Sequence, residues 1–286
     1  DAQESRGLGD VYKRQVEERM AELFDVTLNA DDHAFTRDEL AAAMATCDVL
    51  VPTVTDALDA ELIAGAGEKL KLLANFGAGV DHIDLKAARA RGIIITNTPG
   101  VFTDDTADMT MALILSVPRR LAEGEKLVRS GQWEGWSPSG MLGHRIGGKQ
   151  LGIVGMGRIG QAVAHRARGF GLNVVYHNRR RLPESLEQML GATFEPDLDA
   201  LISSSDIITL HCPRSPETRG IIDARRIGLM KPSAYLINSA RGELVDEAAL
   251  IDALENGRIA GAGLDVYPRE PQVDERLLAL KNVVLL

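Results

Sequence analysis

An α/β architecture of two parallel-sheet domains is what this sequence predicts. Three observations carry it: a length of 286 residues, a steady alternation of strand-like and helix-like stretches, and a glycine-rich turn between a strand and a helix at residues 151–169. The length is long for one core and comfortable for two, at roughly 100 to 200 residues per domain. With 45% hydrophobic and 26% charged residues the composition is globular, and no apolar run approaches the roughly 18 residues that cross a bilayer. A membrane role is therefore not expected. The net charge of −9 repels phosphate backbones, which argues against nucleic acid as a partner. Cys47 and Cys212 lie far apart and in no metal-like spacing, so neither a disulfide framework nor a metal site is expected, and a cytoplasmic location fits.

The elements follow in order. Asp10–Gln15, DVYKRQ, resembles the translation of a sequencing-library adapter, so Asp1–Gln15 reads as a non-native leader; it is polar and lacks the apolar centre of a signal peptide. From Val16, VEERMAELF reads as a helix, DVTLN as a short strand, ELAAAMATC as a helix and CDVLVPT as a strand. LKLLANFG, the helical DLKAARARG and GIIITNTPG continue the alternation, and the β-branched run bounded by Gly and Pro suits a buried parallel strand. These make a first domain over residues 16–98. One long helix is expected from Asp104 to about Ser130, followed by a connecting loop, GQWEGWSPSGMLGHRIGG, in which Trp133 and Trp136 read as packing residues. From Gln150 the strand candidates LGIVG, NVVYH, DIITLH, AYLINS, AGLDVY and NVVLL, separated by helical stretches, have the rhythm of a doubly wound sheet and place a second domain over 99–286.

Within the second domain, LGIVG runs directly into Gly155-Met156-Gly157-Arg158-Ile159-Gly160 and then a helix. This is a dinucleotide-binding fingerprint in its proper context: Gly155 permits the tight turn, Gly157 lets backbone approach a pyrophosphate, and Gly160 lets helix and strand pack closely. The second half of the fingerprint, a carboxylate at the end of the next strand, is missing. NVVYH is followed by Asn178, Arg179, Arg180 and Arg181, whose guanidinium groups can pair with a 2′-phosphate, so NADP(H) is favoured over NAD(H). The bland alternative is a solvated, charged loop.

With GMGRIG reached, LLANFGAGVDHID before it, and LINSARGELVDEAAL and GAGLDVYPREP after it, the sequence resembles the D-isomer-specific 2-hydroxyacid dehydrogenases, most closely their glyoxylate/hydroxypyruvate reductase and glycerate dehydrogenase branch. The resemblance covers Val16–Leu286. It implies two Rossmann-like domains with doubly wound parallel sheets, a smaller flavodoxin-like substrate domain preceding the nucleotide-binding domain, and usually a homodimer. It implies hydride transfer between NAD(P)H and C2 of a small 2-keto or 2-hydroxy acid. By the same resemblance, backbone at Ala78, Gly79 and Val80 receives the substrate carboxylate, although a packing turn is an equal reading of those residues alone. Arg241 corresponds to the substrate-binding arginine and Glu270 to the acidic partner of the catalytic histidine. Asp265 corresponds to the contact with the nicotinamide amide. Thr106, Cys212, Thr218 and Ala240 match weaker contacts with nicotinamide, riboses or phosphates.

The sequence departs from the family pattern in one important place. The catalytic histidine belongs to a Pro-His pair after the strand that is NVVLL here, and none of His33, His82, His144, His165, His177 and His211 matches it; all six are expected to be surface, loop or packing residues. The pattern also leaves a first small-domain strand and a C-terminal helix unmatched, from which poor stability and near inactivity of the chain as written are expected. Formate and phosphoglycerate dehydrogenases are alternatives within the superfamily. A nucleotide-sensing corepressor, which acts by binding partner peptides, is the alternative outside enzymes.

Overall fold

The computed structural model describes residues 8–286, with side chains from Arg14 onward. Contacts divide the chain into two units, one holding residues up to Ala74 together with His82–Ile95, the other holding Asn75–Asp81 and Thr96–Leu286. Of the leader expected over Asp1–Gln15, residues 1–7 lie outside the described residues, and Leu8–Gln15 continue into the helix read from Val16, giving α1 at Leu8–Leu23.

In the first unit α2 (Arg37–Thr46) begins at a capping box. Thr36 accepts the Glu39 N–H, and the Glu39 carboxylate accepts the Thr36 N–H, so two orphan donors of the first turn are satisfied. β1 (Val49–Leu50), α3 (Ala60–Ala64), β2 (Leu72–Ala74), α4 (Leu85–Ala90) and β3 (Ile94–Thr96) follow. The strands form a sheet in the order β1-β2-β3 over a small core of Met44, Leu58, Ile63 and Leu73. The strand expected at DVTLN is absent: Asp25–Asn29 is irregular, and Leu28 is exposed. Its short apolar alternation has no neighbouring strand to pair with among the described residues, and alternation alone does not hold a strand.

In the second unit the single helix expected from Asp104 is two, α5 (Thr103–Ser116) and α6 (Leu121–Arg129). Pro118 has no N–H to continue the helical ladder, and Arg120 takes the left-handed conformation at φ 56°. Next come β4 (Gln150–Val154), α7 (Arg158–Gly169), β5 (Asn173–His177), α8 (Glu184–Leu190), β6 (Ala192–Phe194), α9 (Leu198–Ser204) and β7 (Ile207–Leu210). α10 (Ala224–Leu229), β8 (Tyr235–Asn238), α11 (Glu247–Glu255), β9 (Gly261–Leu264), α12 (Glu275–Ala279) and β10 (Val283–Leu285) complete the chain. The sheet runs β10-β9-β8-β7-β4-β5-β6 with every paired strand parallel. Sequence reading missed β6, a three-residue edge strand too short to show a period.

Strand alternation explains why both faces are covered. Val154, Ile208, Leu210, Leu236 and Leu264 turn to one core with Leu201 and Ile251, while Leu151, Ile153, Ile207 and Ile237 turn to the other with Leu113 and Val163. Each such side chain contributes on the order of 1.5–3 kcal/mol when fully buried. The chain order reverses between β4 and β7, and the crevice at the carboxyl ends of these strands is where an open α/β sheet binds ligands. Trp133 and Trp136, read as packing residues, are instead 57% and 84% exposed, in a segment without helix or strand. Among the described residues no helix is long and apolar enough to cross a membrane, and no cluster of His, Cys, Asp or Glu could hold a metal ion.

Candidate active site

Five neighbouring strands, β9, β8, β7, β4 and β5, deliver the candidate residues to the carboxyl ends of the larger sheet. β4 is followed directly by Gly155, whose φ of +99° suits only glycine, and a Cβ there would lie 2.5 Å from the Cys212 nitrogen. A Cβ on Gly160 would lie 2.3 Å from the Gly155 carbonyl oxygen, so α7 packs against the turn itself. Gly157 is exposed, with open space where its Cβ would stand. It precedes α7, whose first turn carries no side-chain cap and no acidic residue. A bare-backbone hollow at a helix N-terminus, free of negative charge, fits a diphosphate. Arg158 is exposed and Ile159 half-buried beside it.

At the end of β5, Asn178 Oδ1 accepts the Met156 N–H at 3.4 Å and Asn178 Nδ2 donates to the Arg180 carbonyl at 2.9 Å. Arg179 and Arg180 are exposed. Arg181 behaves differently from the run as first read: its guanidinium is held by both oxygens of Glu187, at 3.0 and 2.8 Å, because the first turns of α8 bring that carboxylate under the loop.

His211 and Cys212 follow β7 directly. Burial pushes the His211 imidazole down to about 3, so it is neutral, and pushes the Cys212 thiol up to about 11. The Thr218 hydroxyl is committed locally, donating to the Pro213 carbonyl and accepting the Ser215 N–H. Thr106 sits half-buried in the first turn of α5, its carbonyl taken by Thr110, whose hydroxyl also meets Ser239 at 2.6 Å.

After β8 the buried Asn238 fixes the next turn, donating to the Arg241 carbonyl at 2.8 Å and accepting the Ala240 N–H at 3.1 Å. The Arg241 guanidinium lies on the loop 75–81. Its Nη2 stands 2.2 Å from where a Gly79 Cβ would be, and its Nε and Nη2 reach the Asp81 carboxylate at 3.2 and 3.1 Å. Asn75 and Asn97 shape that loop by donating to the carbonyls of Gly77, Gly79 and Ala78. Among the described residues nothing accepts the N–H groups of Ala78, Gly79 and Val80. Three amides without a partner among the described residues, with the guanidinium of Arg241 lying against their loop, have the chemistry to receive a carboxylate.

Two residues here escaped sequence reading. Asp81 holds Arg241, and Arg214 holds Asp81 through its carbonyl at 2.7 Å and its carboxylate at 3.2 Å while also pairing with Glu243 at 2.7 Å. Burial works to raise the Asp81 carboxyl, but hydrogen bonds and charge from Arg241, with the charge of Arg214, hold it below its ordinary value. Asp81 stands inside a motif already noticed, so it could have been singled out; a lone arginine such as Arg214 carries no signal. Beyond β9, the Asp265 N–H donates to the Asn238 carbonyl. Burial and then the charge of Glu270 push the Asp265 carboxyl up. Glu270 accepts the Tyr267 N–H at 2.9 Å.

Comparison with known proteins bears on this site. Residues 111–286 match the NAD binding domain of the D-isomer specific 2-hydroxyacid dehydrogenases. A glyoxylate reductase of Thermococcus litoralis is 48% identical over 95% of this chain and 84% of its own length. A solved glyoxylate reductase from Paecilomyes thermophila, 36% identical, covers 96% of this chain and 84% of that one with a TM-score of 0.82. An NADPH-dependent glyoxylate/hydroxypyruvate reductase of Sinorhizobium meliloti, solved with NADP and malonate, is 37% identical and covers 96% and 82% of the two chains, with a TM-score of 0.82.

Proposed function

The chain belongs to the D-isomer specific 2-hydroxyacid dehydrogenases, and from that premise we propose that it reduces glyoxylate and hydroxypyruvate at C2 with NADP(H). The observation that carries the reading is the Arg241 guanidinium seated on Gly79 beside the unpaired amides of Ala78, Gly79 and Val80. Those amides take the acid's carboxylate, and the guanidinium fork holds the same group while polarising the neighbouring ketone. Asp81 and Arg214 are positioning residues for that fork.

The nicotinamide nucleotide supplies the hydride when bound. The Gly155–Gly160 turn and the start of α7 hold its diphosphate, and residues 99–286 form the dinucleotide-binding domain after a substrate domain at 16–98. Asp265 and Ala240 serve the nicotinamide side, with Thr106, Cys212 and Thr218 contributing mostly backbone contacts. Glu270 corresponds to the acidic partner of the family's catalytic histidine, a carboxylate that favours the protonated, proton-donating form of an imidazole beside it. Preference for NADP(H) is supported by the missing carboxylate after β5 and the exposed guanidinium groups of Arg179 and Arg180. The reading extends to a cytoplasmic homodimer, for which exposed Trp133, Trp136 and Leu142 supply apolar surface.

The test is nucleotide oxidation by the protein expressed from its complete reading frame, with each acid and with NADPH and NADH in parallel, beside Arg241→Ala. Turnover faster with NADPH and lost in the variant is the expected result. Turnover with NADH alone would overturn the cofactor preference, and turnover of neither acid would overturn the substrates.

A further inference from the structure

Three arginines follow β5, yet they are not equivalent. Tyr176, fully buried at the end of β5, donates its hydroxyl proton to Glu187 at 2.6 Å and accepts the Leu182 N–H at 2.9 Å. Glu187, only 6% exposed, receives Arg181 on both carboxylate oxygens, and the same guanidinium lies 5.8 Å from the centre of the Phe194 ring. Asn178 pins the other end of the loop through the Arg180 carbonyl. Among the described residues the side chains of Arg179 and Arg180 have no hydrogen bond or ion pair, although the Glu217 carboxyl, lowered first by its hydrogen bond with Ser215, also feels the charge of Arg179.

We infer that Tyr176, Glu187 and Arg181 form a positioning element for nucleotide selectivity, in which Arg181 is held back as the counter-ion of Glu187 while Arg179 and Arg180 are presented to the 2′-phosphate. This rests on the NADP(H) reading above and divides the labour within it. The hydrogen bonds of Arg181 and Tyr176 hold the Glu187 carboxyl down at about 2, so it is anionic throughout the physiological range. Without Arg181, an enclosed negative charge would stand uncompensated under the loop and oppose a phosphate there. Without the Tyr176 hydroxyl, the Leu182 N–H loses its acceptor and the loop loses one of its pins.

Dissociation constants of NADPH and NADH, read by nucleotide fluorescence on the 286-residue chain, test the inference, with thermal melting as a check on folding. Arg179→Gln lowers the NADPH:NADH preference about tenfold, the loss of one charge-assisted contact. Arg181→Gln lowers it by about five- to tenfold, and adding Glu187→Gln restores it to within about threefold, because the charge that Arg181 balanced is gone too. Tyr176→Phe lowers it about threefold with NADH binding unchanged. A double variant as defective as Arg181→Gln alone would make Arg181 a phosphate ligand and overturn the inference, as would an Arg181→Gln protein with undiminished preference. Should Tyr176→Phe fail to fold, the Arg181 and Glu187 variants decide alone. If neither Arg179→Gln nor Arg180→Gln changes the preference, the NADP(H) reading itself falls, an outcome separate from the Arg181 series.

Discussion

Gly79→Ala separates the proposed substrate receptor from the fold that carries it. The added methyl would stand 2.2 Å from Arg241 Nη2 and 2.9 Å from Asp81 Oδ1, whereas ordinary contact begins at 3.4 Å. The guanidinium must therefore retreat by 3.4 − 2.2 = 1.2 Å. It can do so, because it is the end of a flexible side chain, and Gly79 has no positive φ that alanine would strain. Stability should barely change. Catalysis should not escape, since a misplacement of about 1 Å costs on the order of a hundredfold, equivalent to about 2.7 kcal/mol of barrier.

The assay is steady-state reduction of glyoxylate by the protein from its complete reading frame, with nucleotide affinity and melting temperature measured alongside. kcat/KM should fall about a hundredfold while nucleotide affinity and melting temperature hold. Gly79→Ala combined with Arg241→Ala should be no worse than Arg241→Ala alone, since both remove one function. Retention of wild-type kcat/KM in Gly79→Ala beside a damaged Arg241→Ala would refute the claim that the contact with Gly79 sets the working position of the guanidinium. Full additivity in the double variant would do the same.

Gly155→Ala is the contrasting case, because its φ of +99° and its 2.5 Å approach to the Cys212 nitrogen involve backbone that cannot swing aside; a loss of about 3 kcal/mol or more is expected in urea unfolding, with nucleotide binding abolished. Cys212, its thiol pushed up to about 11 by burial, should react with iodoacetamide at about pH 8 far more slowly than an unstructured cysteine, and rapid alkylation of the folded protein would contradict that environment. Glu187 has its carboxyl lowered from 4.5 to about 2, so its stabilising contribution is complete above pH 4.5 and drains away as pH falls through 2. Glu187→Gln should flatten that part of the acid-unfolding profile.

The parts of this protein that were legible in its sequence are those whose physical cause is local. The Gly155–Gly160 turn needs only a strand before it and a helix after it: Gly160 answers to the Gly155 carbonyl and Gly155 to backbone after the adjacent strand, while Gly157 keeps open space. The parallel sheet was legible because its strands, buried on both faces, are runs such as Ile207–Leu210 that have no polar alternation. Charge partners are another matter. Arg241 meets Asp81 across 160 positions and Arg214 meets the same residue across 133, distances over which spacing carries no information. Arg181 shows the limit most sharply, since Glu187 is only six residues away. What turns that nearby carboxylate toward the loop is Tyr176, reaching from beneath with a hydroxyl that only folding places there. A run of arginines in a sequence thus counts the cations that could meet a phosphate, and the fold subtracts those already committed to a carboxylate of the chain itself; here three become two, which is why Arg179 and Arg180, and not Arg181, are the residues on which nucleotide selectivity should turn.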